Sequence, residues 1–316
     1  MSTMKLSFNT WPYASFPVWL PAYPLEYAIE HIAKIGYDGI EIGAASPHCY
    51  PPTTSKARRQ RIRDVLAANG IALSSMLPAL SGGPGNNVAS PIPEERRHTI
   101  EEYKQVVELC AFWGGKVVLY IPGWIVWGTS HRQAWEWSLE ALREISATAR
   151  DHGVTMAIEP TSFDSNLVDT VDQAVEMTEE LGAENVGVMF DTFHVLYRRE
   201  VLSDYVYRAG KHLKHVHISD NDRLPPGRGR GDFVSLIAAL QEVGYSGYLA
   251  MELGFDRRDI EPDKVARESI QYLKPLVEAA ERGELVQGVR PAGRPQADAV
   301  SSGASTVSPG RLNEES

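Results

Sequence analysis

Residues 186–194 read VGVMFDTFH. Five apolar or small residues run unbroken into Asp191. Such a run suits a strand covered on both faces, as in a parallel sheet wrapped by helices. The carboxylate then stands where the strand ends. Three other stretches repeat the arrangement: MAIEP (156–160) carries Glu159, HVHISDND (215–222) carries His217, and YLAMELGF (248–255) carries Glu252. The four residues lie 32, 26 and 35 positions apart. Each interval accommodates one strand, one helix and two loops. The pattern predicts repeated βα units closed into a barrel, with acidic and imidazole groups converging at the strand ends, where barrel chemistry sits.

Outward from this stretch, strand-like and helix-like segments alternate along the whole chain. Strands are expected at 5–9, 39–42, 72–76, 116–120, 155–158, 187–190, 213–218 and 248–251. Helices are expected at 25–35, 56–69, 94–112, 131–152, 170–181, 202–209, 232–243 and 263–280. Glycine punctuates the helix-to-strand passage in KIGYDGIEI, AANGIALSS, DHGVTMAIE, ELGAENVGV and EVGYSGYLAM. A glycine just past a helix fits the left-handed C-terminal cap. Eight such units predict an α/β fold, a single-domain (β/α)8 TIM barrel over residues 1–282. The competing arrangement is an open doubly wound sheet. The count of eight and the functional groups at four separate strand ends favour closure. Residues 283–316 are dominated by Pro, Gly, Ser and Ala, and cannot bury enough surface to offset their ordering entropy. They are expected to form a disordered tail.

A hydrophobic content of 43% supports a sizeable core, and 316 residues suit one barrel. The net charge of −10 argues against a nucleic-acid surface, which needs basic stripes. No apolar run reaches the roughly 18 residues of a membrane span. Cys49 and Cys110 do not make a disulfide framework, and MSTMKLSFNTW lacks the apolar stretch of a signal peptide. A soluble protein of the reducing cytoplasm is expected, without nucleic-acid or membrane partners.

A lone strand-end carboxylate is ordinarily a helix cap. Four ligand-type residues on successive strands are different, because clustered buried carboxylates are costly unless paired or metal-bound. Three oxygens and one nitrogen from Glu159, Asp191, His217 and Glu252 suit a hard or borderline divalent ion such as Mn²⁺, Mg²⁺ or Co²⁺. His194 leaves the same strand end as Asp191. It reads either as a helix-capping loop histidine or as a substrate-hydroxyl contact. His215 shares a face with His217, as a core histidine or a deeper part of the site. Arg223, in SDNDRLPPGRGRGDF, is placed to grip a sugar or enediolate oxygen with its planar fork. Arg228 and Arg230 suit a surface role at least as well as phosphate binding, and GRGRG is not a phosphate loop. Trp11 and Tyr13 follow strand one, Trp19 lies in the same loop, and Trp124 and Trp127 follow strand four. These aromatics are either substrate-stacking surfaces or loop packing. Glu41 and His48 follow strand two: Glu41 as a carboxylate behind the ligands, His48 as a substrate contact or acid/base.

DTFH (191–194), HVHISDNDRLPPGRG (215–229) and GYSGYLAMELGF (244–255) together resemble the xylose-isomerase-like barrel superfamily, and most of all its ketose 3-epimerases. The resemblance covers roughly residues 5–280. It implies a divalent metal, usually Mn²⁺, held by Glu159, Asp191, His217 and Glu252. It also implies that Glu159 and Glu252 shuttle protons on opposite substrate faces, and that His194 and Arg223 bind substrate oxygens. One departure stands out. The epimerases carry a further Glu six residues after the first ligand, where this chain has Ser165; Asp164 and Asn166 are the candidates to replace it.

The resemblance implies proton abstraction next to the carbonyl of a keto-sugar, through an enediolate held on the metal. Returning the proton to the opposite face gives an epimerase or isomerase. Expelling a β-substituent gives a lyase acting on an inosose or a 3-oxo-glycoside, as in inosose dehydratases and the barrel subunits of C-glycoside deglycosidases. Ser165 and the aromatic loops favour the lyase; the motifs favour the epimerase. The expected partner is a small keto-sugar or an oxidised glycoside. The expected assembly is a homo-oligomer, or for the lyase a hetero-oligomer with a small β-rich subunit. A phosphodiesterase of the endonuclease IV type shares the barrel but needs more metal ligands and basic DNA-binding loops.

Overall fold

Eight apolar runs become eight parallel strands that pair in sequence order and close, β8 against β1. The computed structural model describes residues 3–14, 21–78, 86–254 and 260–285. The strands are β1 Lys5–Asn9, β2 Gly39–Ala44, β3 Ala72–Pro78, β4 Val117–Tyr120, β5 Thr155–Ile158, β6 Val186–Asp191, β7 Leu213–Ile218 and β8 Tyr248–Met251. The helices are α1 Trp11–Ala14, α2 Leu25–Ile35, α3 Lys56–Ala68, α4 Pro93–Phe112, α5 His131–Asp151, α6 Val171–Leu181, α7 Thr192–Tyr197, α8 Leu202–Ala209, α9 Phe233–Glu242 and α10 Pro262–Glu281. The (β/α)8 barrel expected from the spacing is the fold observed. Trp19, the middle of the 78–93 loop and the tail beyond 285 lie outside the described residues. Among the described residues, no helix is long and apolar enough to cross a membrane.

Local chemistry sets the helix boundaries. Ser55, Ser130 and Asp232 cap α3, α5 and α9 by accepting a backbone N–H. Thr170 and Gln173 form a reciprocal capping box at α6. Gly36 and Gly182 end α2 and α6 in the left-handed conformation. Two short helices were not expected. α1 follows β1 directly, where Trp11 N–H donates to Asn9 Oδ1 at 2.7 Å. α7 begins right after β6, where Asp191 accepts from Phe193 N–H at 2.8 Å. Both are shorter than the periodicity needed to reveal a helix in sequence.

Alternation along the strands separates two layers. Leu6, Phe8, Ile40, Ile42, Val188, Phe190, Val216 and Ile218 belong to the large core that includes the helices. The residues between them face the barrel interior, which is divided by polarity. Leu77, Leu119, Ala157 and Met189 form a small apolar cluster with Trp11. Ser7, Asn9, Glu41, Ser75, His215 and His217 fill the other side and are fully or almost fully buried. A register shift between β2 and β3 leaves Ser74 unpaired in the ladder, so the hydroxyls of Ser74 and Ser75 both reach this polar side.

Trp11 closes the apolar side. Its indole lies so close to Gly43 that a Cβ there would stand 2.3 Å from the ring. Gly43→Ala should therefore overpack this corner and lower stability by about 1–3 kcal/mol, measured as a shift in the urea midpoint at unchanged slope.

Candidate metal centre

The last residues of β5, β6, β7 and β8 meet at one point. Glu159 follows β5, Asp191 ends β6, His217 lies one residue before the end of β7, and Glu252 follows β8. Asp191 pairs with His217 and His217 with Ala250 in adjacent ladders. The backbone N–H groups of Glu159 and Glu252 still donate to Tyr120 O (2.9 Å) and Ile218 O (3.1 Å), so both side chains leave from fixed backbone. One donor atom from each of the four residues lies within 4.8 Å of all the others, and all four residues are buried. A buried set of three carboxylates and one imidazole is an oxygen-rich donor set that fits a divalent cation of the Mn²⁺, Mg²⁺ or Co²⁺ kind.

The surroundings treat the carboxyls unequally. Burial pushes Glu159 well above the usual carboxylate range, and the nearby carboxylates of Glu252 and Asp191 add to the rise against opposition from His217. Burial also pushes Glu252 up, but the charges of Arg223 and His217 outweigh it and bring the group down to about 2. Arg223 Nη1 bonds Asp191 Oδ2 and lies 2.6 Å from Glu252 Oε2. Its guanidinium stacks 4.2 Å from the Phe193 ring centre. Asp222 and Arg223 both adopt positive φ, 58° and 54°, which non-glycine residues seldom do. Asp220 holds this loop by accepting from Asn221, Gly227, Gly229 and Gly231 N–H groups at 2.8–3.0 Å.

His217 Nδ1 faces the cluster, 3.1 Å from Glu252 Oε2 and 3.8 Å from Glu159 Oε1. Its Nε2 lies 2.9 Å from Glu41 Oε1. His215 Nε2 reaches the same carboxylate at 3.0 Å, so this histidine belongs to the polar network beneath the cluster. His194 is buried beside the site. Its Nδ1 accepts from Phe163 N–H at 3.2 Å, which leaves Nε2 as the N–H. Burial depresses its pKa to about 3, so it is a neutral donor.

Other expected contacts fall further out. His48 is buried, and its Nε2 donates to Tyr23 O at 2.9 Å, while its Nδ1 has no hydrogen-bond partner among the described residues. Burial lowers its pKa to about 4. Its ring is held by the chain rather than joined to the cluster. Trp11 is buried in the apolar side of the barrel. Trp124 is half-buried, and its N–H and C=O are both held by Asn87. Trp127 is fully exposed. Arg228 pairs with Glu268 on the surface. Sequence reasoning missed Asn9 and Ser75, whose roles depend on strands far apart in the chain.

The segment after β5 separates the candidates around Ser165. Asn166 Oδ1 accepts from Ile125 N–H at 2.7 Å, and Ser165 Oγ pairs with Thr161 Oγ1 at 2.7 Å. Asp164 alone of the three faces the site, with Oδ2 3.6 Å from His194 Nε2.

Fold and site define a (β/α)8 barrel with a buried carboxylate–imidazole cluster at its C-terminal mouth. The xylose isomerase-like TIM barrel family matches residues 29–276. A D-psicose 3-epimerase from Ruminiclostridium cellulolyticum is 32% identical over 235 residues, 72% of this chain and 77% of that protein. The structure of an L-ribulose 3-epimerase superposes with a TM-score of 0.77 at 20% identity, covering 92% of this chain and all of that one. An IOLI protein crystallised with a zinc atom superposes with a TM-score of 0.71 at 23% identity, covering 88% and 99%. The chain belongs to the xylose isomerase-like TIM barrel family, and within it to the sugar isomerases and epimerases.

Burial raises the Asp164 carboxyl to about 6, the neighbouring Asp191 and Glu252 charges adding to the rise and Arg223 opposing it. A raised acid costs stability only where it ionises in the unfolded chain. The cost is absent below pH 4 and complete above pH 6. Asp164→Asn should therefore match wild type at pH 4 and become the more stable protein above pH 6. Solvent screening of this part-exposed group should hold the gain to no more than about 1–2 kcal/mol. Urea titrations of the chelated proteins at the two pH values measure it.

Proposed function

We propose that this enzyme is a divalent-metal-dependent ketose epimerase, with Glu159 and Glu252 as the paired acid and base. The observation that carries the reading is the buried cluster itself, in which Glu159 from the end of β5 and Glu252 from the end of β8 bring their carboxyls to one point with Asp191 and His217. Glu252, held ionised beside Arg223, serves as the base that takes a proton from the carbon next to a carbonyl. Glu159, the partner carboxyl, returns one to the opposite face. Glu159, Asp191, His217 and Glu252 would hold the cation, Mn²⁺ by preference with Mg²⁺ and Co²⁺ as alternatives. When bound, such an ion polarises a carbonyl and lowers the cost of negative charge on its oxygen.

The remaining side chains bind and orient. His194 Nε2–H is a neutral donor for a sugar hydroxyl. Arg223, its planar guanidinium stacked on Phe193, is the group that grips a substrate oxygen. Asp164, beside His194, is the acceptor for a more distant hydroxyl in place of the glutamate that Ser165 lacks. The substrate class follows the relatives, which include a D-psicose 3-epimerase and an L-ribulose 3-epimerase. Two buried free cysteines suit the reducing cytoplasm, where we place the protein; we expect it to self-associate.

A second reading keeps the same base and changes the fate of the carbanion: elimination from a 3-oxo-glycoside or an inosose. The rim favours it. Phe163 and Tyr197 are exposed and pack edge-on, 5.2 Å between ring centres, and Phe163 contacts Phe193 at 5.1 Å. Such a wall suits a substrate with a planar apolar group, and the exposed Trp127 suits a small β-rich partner subunit.

Incubating the Mn²⁺-loaded enzyme in D₂O with D-psicose, L-ribulose and a 3-oxo-glycoside tests both. Deuterium should enter next to the carbonyl, with inversion for the first reading and bond cleavage for the second. Glu159→Gln and Glu252→Gln should each lose about 10²–10⁴-fold in kcat with the circular dichroism spectrum unchanged. No exchange with any of the three compounds would overturn both readings.

A further inference from the structure

Glu41 stands fully buried inside the barrel and is not one of the four residues of the cluster, to which it is joined through His217. Its oxygens are surrounded by donors. Asn9 Nδ2 donates to Oε1 at 2.6 Å, Ser75 Oγ donates to Oε2 at 2.6 Å, and His215 Nε2 lies 3.0 Å from Oε2. The Asn9 amide has one orientation only, because its Oδ1 accepts Trp11 N–H at 2.7 Å. The fourth neighbour is His217 Nε2, 2.9 Å from Oε1 and 3.0 Å from Oε2. Once the imidazole ligates a cation through one nitrogen, it is neutral and carries its one proton on the other. With Nε2–H directed at Glu41, the lone pair is on Nδ1, the nitrogen that faces Glu252 and Glu159.

We propose that Glu41 is a positioning residue for the metal centre: its carboxylate fixes the proton of His217 on Nε2 and so presents Nδ1 as the ligand atom. Asn9, Ser75 and His215 hold the carboxylate in place and saturate its oxygens, so strands β1, β2 and β3, which supply no ligand, contribute to the site through this one group. The same residues, Glu41, His215 and His217, lie close enough to be a second cation site. Four donors already directed at the carboxylate make them a hydrogen-bonded network instead. A carboxylate behind a ligating histidine orients the ring and raises its basicity, and losing it costs about 10–100-fold in metal affinity.

The inference rests on the metal-centre reading and is tested without turnover. Protein stripped with chelator is titrated with Mn²⁺ by calorimetry at pH 7.5. Glu41→Gln keeps the size of the side chain but turns an N–H group toward one of the four donors. It should bind Mn²⁺ about 10–100-fold more weakly than wild type. Ser75→Ala, which removes a donor and leaves the acceptor, should keep most of the affinity. On wild type itself, ¹⁵N-histidine correlation spectra of the Mg²⁺-loaded protein should show His217 protonated on Nε2 and bare on Nδ1, a readout that stands even where Glu41→Gln does not fold. Equal Mn²⁺ affinity in Glu41→Gln and wild type, or a His217 proton on Nδ1, would overturn the role of Glu41 alone. A wild-type protein that binds no Mn²⁺ would overturn the metal-centre reading as well.

Discussion

Three carboxylates packed within reach of one another in a buried pocket repel, and their repulsion is the constraint that the rest of the site answers. Each carboxylate taken out of water must find positive charge or hydrogen-bond donors, or else take up a proton. Arg223 supplies the fixed positive charge from a loop whose backbone is forced into the left-handed region. His217 supplies a nitrogen from within the sheet. Glu159 is left with the weakest compensation, and burial dominates its proton affinity. A cation at this point would relieve all three carboxylates at once, which is the physical reason that the donor set reads as a metal centre.

The barrel makes the arrangement rigid. Every member of the cluster leaves from a strand or from the residue directly after one, so its position is fixed by ladder hydrogen bonds rather than by loop packing. The interior is also divided by polarity. Leu77, Leu119, Ala157 and Met189 make a dry half beneath the β3–β6 side, while Asn9, Glu41, Ser75, His215 and His217 make a hydrogen-bonded half opposite. The dry half supplies the low-dielectric wall that strengthens each charge interaction above it. The polar half gives a fully buried carboxylate, Glu41, the hydrogen-bond donors it loses with water.

The four residues of the cluster were conspicuous in the sequence because each stands at or near the end of an apolar run, where a carboxylate or imidazole contrasts with buried strand. The barrel was legible from the same runs together with the glycine stops between helix and strand. Other residues carried no such mark. Asn9 and Ser75 look like ordinary strand polar residues until β1, β2, β3 and β7 come together. Trp11 and Trp124 looked alike in sequence, yet one packs on Gly43 inside the barrel and the other stands half-buried in a loop pinned by Asn87. His48 looked like a site residue and is instead tied to the Tyr23 carbonyl. Ser165 stands where the epimerases carry a glutamate, and Asp164 and Asn166 on either side were the candidates to replace it. Two of the three prove to be engaged with Thr161 and Ile125, which leaves only Asp164 beside His194.

The sequence by itself determined the number of strands, their order and the chemical type of the groups at their ends, since these follow from local periodicity and from where apolar runs stop. Tertiary structure alone decided which of those groups meet in one cluster, which face a ring nitrogen and which are sealed away. Strand register, the left-handed turn at Asp222 and Arg223, and closure of β8 on β1 bring residues from opposite ends of the chain to hydrogen-bond distance. Proton affinity and ligand geometry depend on separations of a few ångströms, and no local pattern in a chain encodes a distance between segments two hundred residues apart.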